Sequence, residues 1–206
     1  MRLPSLLLAV VFGVWSAGSL LAARPILCCD YGGGRVTILS ATGEIQWQVQ
    51  AKNPQDCWQL PNGNILFAYV GGAKEVTRDQ KIVWEYKAPE KVECHACQPL
   101  PDGNVLVVEC GTRRIVEIDR AGKIAKEIKL VTAASVKLPN QFRGTRKTAD
   151  GRYLGHGHLG EQPQVFEITP DKKVVWTFED KGRFKTINQI MALDDTGNVT
   201  KGEVLR

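Results

Sequence analysis

The sequence predicts an all-β protein, a β-propeller of about four four-stranded blades. Three observations carry that expectation: a turn that recurs near every 40 residues, a second element that recurs between those turns, and apolar runs that never sustain a helical period after residue 23. The first turn is Leu60-Pro61-Asn62-Gly63-Asn64-Ile65-Leu66, and 40 residues later it returns as Leu100-Pro101-Asp102-Gly103-Asn104-Val105-Leu106. Thr148-Ala149-Asp150-Gly151-Arg152-Tyr153-Leu154 is a looser copy, and Leu193-Asp194-Asp195-Thr196-Gly197-Asn198-Val199 is another with one residue inserted. Asn or Asp beside Gly between apolar runs signals a hairpin. Both central residues of the favoured two-residue turn need φ > 0, which Asn, Asp and Gly tolerate best.

The second element is Ser40-Ala41-Thr42-Gly43-Glu44-Ile45-Gln46-Trp47, matched by Thr77-Arg78-Asp79-Gln80-Lys81-Ile82-Val83-Trp84. It returns as Asp119-Arg120-Ala121-Gly122-Lys123-Ile124-Ala125-Lys126 and as Thr169-Pro170-Asp171-Lys172-Lys173-Val174-Val175-Trp176. Each copy follows a short β-prone run such as Val36-Thr37-Ile38-Leu39 or Ile115-Val116-Glu117-Ile118. Complete blades are expected at 55–87, 93–129 and 141–178. Ile26 to Trp47 supplies only the last three strands of a blade, and Ile187 to Leu193 only a first strand. The N- and C-terminal strands are therefore expected to share one blade, which closes the ring and removes its open edges. Trp47, Trp84 and Trp176 recur at one position of the outer strand, where packing between blades is the expected role.

The first 23 residues stand apart. Met1-Arg2 is followed by the apolar run Leu3 to Leu21, with small residues at Ala17-Gly18-Ser19 and Leu21-Ala22-Ala23. That is the outline of a secretory signal peptide, with an uncleaved anchor helix as the alternative. Residues 24–206 are then the propeller domain, expected in the periplasm or outside the cell, with no membrane association after cleavage. Hydrophobic residues at 43% and charged residues at 24% suit a globular core, and a net charge of +5 is only mildly basic. Basic residues thicken from Arg120 to Lys147 with Phe142 alone as an aromatic among them, so a solvated face is expected and no nucleic-acid surface. Export permits disulfides, yet most of the six cysteines (Cys28, Cys29, Cys57, Cys94, Cys97, Cys110) sit in apolar strand-like runs. Mostly buried thiols are expected, with at most one bridge, which the sequence does not assign.

The pattern of strand, Leu-Pro-Asn/Asp-Gly-Asn, strand, Asp-x-x-Gly-Lys-Ile-Val-Trp resembles the quinoprotein-like (PQQ-like) and NHL-like bacterial β-propellers. The segments Asn53-Pro54-Gln55-Asp56-Cys57-Trp58, His95-Ala96-Cys97-Gln98-Pro99, Gln141-Phe142-Arg143-Gly144-Thr145-Arg146 and Leu154-Gly155-His156-Gly157-His158 add a resemblance to exported propellers of environmental bacteria. The resemblance runs over residues 25–206. It implies relatives of about six blades, so that this chain looks shortened, with a join near Tyr153-Leu154. Oligomerisation is expected if four blades do not close alone.

Aligning the repeats on their turn glycines puts Gln55, His95, Arg143 and Asn188 in one column and Asp56, Ala96, Gly144 and Gln189 in the next. Large polar side chains at the start of inner strands converge on the channel. They suit either a polar-ligand pocket or a hydrated lining. The candidate binding residues are Gln55, Asp56, His95, Arg143, Arg146, Asn188 and Gln189. Cys94-His95-Ala96-Cys97 lacks haem-attachment order, and strand alternation sends Cys94 and His95 to opposite faces, so no metal is expected there. His156-Gly157-His158 reads as a glycine-rich loop, and Gly32-Gly33-Gly34 as a turn without the context of a phosphate loop. The expected function is an exported binding or scaffold module for a small polar ligand or a protein partner, without cofactor. The alternative is an enzyme, either a quinone-dependent oxidoreductase or one like the arylsulfotransferases that the resemblance includes. In it His95 would be the acid–base or nucleophilic group, with Arg143 and Arg146 holding an anionic group.

Overall fold

The computed structural model describes residues 24–130, 142–157, 164–179, 187 and 190. Among them are fifteen strands and no helix. β1 (Ile26–Asp30), β2 (Arg35–Leu39) and β3 (Ile45–Gln50) form a three-stranded sheet. Three four-stranded sheets follow in chain order. They are β4 (Asp56–Gln59), β5 (Ile65–Tyr69), β6 (Gly72–Val76) and β7 (Ile82–Lys87); β8 (Cys94–Pro99), β9 (Val105–Glu109), β10 (Arg114–Ile118) and β11 (Ile124–Lys129); and β12 (Phe142–Lys147), β13 (Tyr153–Gly157), β14 (Gln164–Ile168) and β15 (Val174–Glu179). Each is an antiparallel meander, and each matches a blade expected from the repeat. β13 runs unbroken through Tyr153-Leu154, paired on both sides. The signal segment and the C-terminal strand Ile187 to Leu193 (apart from Ile187 and Ile190) lie outside the described residues, and so does the closure of the ring through them. No described helix is long and apolar enough to cross a membrane.

The hairpins differ from the expected two-residue turn. Gly63 donates its amide to the Leu60 carbonyl at 2.8 Å, and Leu60 donates to the Asn64 carbonyl at 2.9 Å. Only the glycine has positive φ, at +82° in Gly63, +86° in Gly103 and +85° in Gly151. This is a three-residue loop, one tight turn followed by a left-handed residue. The same loop forms without proline at Thr148-Ala149-Asp150-Gly151, where Gly151 donates to the Thr148 carbonyl at 2.9 Å, so the shared determinant is the left-handed glycine at the fourth position.

β5 and β9 carry uninterrupted apolar runs, Ile65-Leu66-Phe67-Ala68 and Val105-Leu106-Val107-Val108, because both of their faces are buried. One apolar cluster joins the β1–β3 sheet to the β4–β7 sheet through Val36, Trp47, Ile65 and Phe67. A second joins β4–β7 to β8–β11 through Leu66, Trp84, Val105 and Val116. A third joins β8–β11 to β12–β15 through Leu106, Val108, Phe142 and Phe166. The first strands β4, β8 and β12 lie in succession, each against the next.

The recurring tryptophans act between blades, as expected, at two of their three positions. Trp47 donates its Nε1 hydrogen to the Arg78 carbonyl at 2.7 Å, with the Arg78 guanidinium 5.5 Å from the ring centre. Trp84 donates to the Asp119 carbonyl at 2.9 Å, with Arg120 at 5.6 Å. Trp176 differs: it is 49% exposed, against 9% and 4% for Trp47 and Trp84.

Candidate functional site

A single backbone irregularity recurs at the start of the inner strands and places the candidate side chains. In β8 the register slips between Cys94, opposite Glu109, and Ala96, opposite Val108, so His95 is an extra residue. In β12 it slips between Phe142, opposite Gly157, and Gly144, opposite His156, so Arg143 is the extra residue. Before β4, Gln55 donates its amide to the Ala68 carbonyl at 2.9 Å while Asp56 pairs with the same Ala68. His95 and Arg143 are thus the inserted residues of two successive bulges, and Gln55, their partner in the repeat column, lies just before β4 and shares Ala68 with Asp56. A bulge bends its strand and redirects one side chain out of the alternating pattern. Asn188 and Gln189, the fourth members of their columns, lie outside the described residues.

The neighbouring column behaves differently. Asp56 is buried, accepts the Cys97 amide at 3.1 Å through Oδ2, and meets Arg146 Nη2 at 2.9 Å. Arg146 lies 5.4 Å over the Trp58 ring, and its Nη1 donates to the Thr145 carbonyl at 3.2 Å. Trp58 in turn donates to the Cys97 carbonyl at 2.6 Å. Gln98 spans the next gap, accepting from Lys147 N at 2.7 Å and donating to Lys147 O at 3.1 Å. Asp56 and Arg146 therefore tie inner strands together as a desolvated ion pair. Much of the basic run from Arg120 to Lys147 is also paired with acids, for example Arg120 with Glu75 and Lys147 with Glu117, both at 2.7 Å.

His95 sits 2.9 Å from Glu93 Oε2 through Nε2, with only 7% of its side chain exposed. Burial holds its pKa below the ordinary value; Glu93 opposes that shift and the charge of Arg143 adds to it. His156 stands beside these candidates and was not among the binding residues that the sequence singled out. The glycines around it suggested a loop, but it lies within β13, opposite Gly144 of β12 and Val165 of β14. It is fully buried, and neither ring nitrogen has a hydrogen-bond partner. Burial, then the positive charges of Arg143 and Arg146 and, when it is protonated, His95, push its pKa down to about 4. The Ile187 backbone lies close enough to oppose that shift slightly, without hydrogen-bond geometry. A signal for His156 existed in the β alternation of Tyr153-Leu154-Gly155-His156-Gly157. Its near neighbour His158 lies outside the described residues.

Among the described residues, no group of three His, Cys, Asp or Glu side chains is placed to hold a metal ion. Burial raises the pKa of the Cys94 thiol, and the neighbouring Cys57 thiol followed by burial raises that of Cys29. Both are thereby kept as thiols at neutral pH.

No family model and no curated protein matches the chain. Solved structures do. A Bacteroides caccae protein of unknown function is 28% identical, with a TM-score of 0.66 over 78% of this chain and 59% of that one. Virginiamycin B lyase from Staphylococcus aureus, as its inactive H270A form with quinupristin, is 20% identical, with a TM-score of 0.58 over 81% of this chain and 54% of that one. The WD40 propeller domain of Doa1 is 11% identical, with a TM-score of 0.60 over 76% of this chain and 51% of that one. The chain thus spans 51% to 59% of the length of these structures. The fold they share with it is the β-propeller.

Proposed function

We propose that this propeller is an exported binding module that takes a small polar ligand at its bulged inner strands. The observation that carries the proposal is the irregularity that recurs at the start of the inner strands, a bulge in β8 and β12 and a shared Ala68 partner before β4. Three successive blades present Gln55, His95 and Arg143 from the same irregular position, beside a buried His156 whose ring nitrogens have no hydrogen-bond partner. A bulge interrupts a ladder that would otherwise be regular, and bulges concentrate where a side chain is aimed at a site. The signal-like segment, residues 1–23, supports export.

A screen of sugars, amino acids, organic acids and nucleotides, read by the ring resonances of His95 and His156, tests the binding site. Hits are expected to move both resonances and to bind about tenfold more weakly in His95→Ala and Arg143→Ala. Hits that bind both variants as they bind the parent would place the site elsewhere. Mass spectrometry of protein recovered from outside the cytoplasm tests export, with removal of residues up to 19–23 as the expected result.

A further inference from the structure

Arg146 and His156 present a problem that the fold itself leaves unsolved. Both are at least nine-tenths buried, and burial strips a polar group of water. Arg146 Nε has no hydrogen-bond partner, its Nη2 meets Asp56 only as an ion pair, and both nitrogens of His156 are likewise without a hydrogen bond. The charged groups that act most strongly on His156 are Arg143 and Arg146, and both repel a proton from it despite the carboxylate of Asp56 opposite Arg146; His95 adds to them only when protonated. The side chains come from one short stretch of structure. Arg143 and Arg146 flank Gly144 on β12, and Gly144 pairs directly with His156 on β13. A water molecule would meet the unused donors but would leave the field unchanged. An oxyanion meets both, since it accepts several hydrogen bonds and is attracted by the same charges.

We propose that His156, Arg146 and Arg143 together hold an oxyanion, a carboxylate, sulfate or phosphate group, as a free ion or as part of a larger ligand. The assignment rests on the inner-strand site proposed above and names its ligand class. Beside the anion, His156 donates a hydrogen bond from one ring nitrogen, and Arg146 donates from Nε.

Calorimetry of the folded chain with inorganic phosphate, sulfate and acetate, at constant ionic strength in chloride, tests the assignment, with glycerol as the neutral control. The ring nitrogen resonances of His156 are followed in parallel. At least one oxyanion is expected to bind saturably, to move the His156 resonances, and to lose about tenfold in affinity in Arg146→Gln and in His156→Phe. Arg146→Gln strips a buried carboxylate of its cation; should it fail to fold, His156→Phe, which keeps the ring and removes its nitrogens, decides alone. Oxyanion binding that is unchanged in the folded variants overturns the assignment. If glycerol moves His156 and no oxyanion does, the anion class falls while the polar site stands. If neither moves it and the broader screen also leaves it still, both fall.

Discussion

Single residues reveal where the repeat is under strain. The turn before each outer strand places its fourth residue in the left-handed region. Glycine occupies that position at Gly43 and Gly122, but Gln80 and Lys172 adopt it with φ of +67° and +73°. A side chain there costs on the order of 1 kcal/mol that glycine avoids, offset in part by glycine's freer unfolded chain. Gln80→Gly and Lys172→Gly are each expected to raise stability by about 0.5 kcal/mol. Urea unfolding checks this through a higher midpoint at unchanged slope. His156 sets a second expectation. Its pKa falls from 6.5 to about 4 on folding, so the unfolded chain binds the proton more readily between those values. Its contribution is full above pH 6.5, declines as pH falls towards 4, and is constant below that. The loss is on the order of 3 kcal/mol. The parent should lose stability relative to His156→Phe as pH is lowered through this window; parallel curves would refute the buried neutral imidazole.

At the scale of elements, the blades are joined by side chains reaching for backbone. Trp47 and Trp84 each hand a hydrogen to a carbonyl in the next blade's turn, beneath an arginine of that turn. Trp84→Phe removes the hydrogen bond and weakens the cation–π contact, an expected cost of about 1–2 kcal/mol. Trp176, half exposed at the same repeat position, is expected to tolerate Phe within about 0.5 kcal/mol. Thermal unfolding of the two variants side by side separates them. The inner strands use the same principle. Asp56 and Trp58 hold the Cys97 amide and carbonyl, and Gln98 holds both backbone groups of Lys147. The sequence columns did not distinguish residues at the bulges from those that fasten one strand to the next. Asp56 stands beside Gln55 in the chain, yet its cation, Arg146, comes from two blades on.

Across the molecule, each apolar cluster belongs to two neighbouring sheets, so stability is chiefly a nearest-neighbour property, as in repeat proteins. Phe142 is fully buried and stacks with Phe166 at 5.6 Å within the cluster that joins β8–β11 to β12–β15. Phe142→Ala is expected to cost about 3–5 kcal/mol. Hydrogen exchange should then show protection lost first in β12–β15 and retained in β4–β7; uniform loss would mean that the blades unfold as one unit.

The blades were legible in the amino-acid sequence because their determinants are local. A hairpin is closed by residues within the same seven, and a strand buried on both faces declares itself as a run such as Val105-Leu106-Val107-Val108. Even there the Asn-Gly and Asp-Gly signal marked the hairpin but not its type, because a single left-handed glycine closes a three-residue loop at Gly63, Gly103 and Gly151, with or without a proline before it. The surroundings of the candidate residues were decided only in three dimensions. Which polar residues bulge, which are fastened, and that His156 lies in a strand among positive charges depend on partners in other strands and other blades. Local turn chemistry is read residue by residue, whereas burial and charge at a point are sums over everything folded around it.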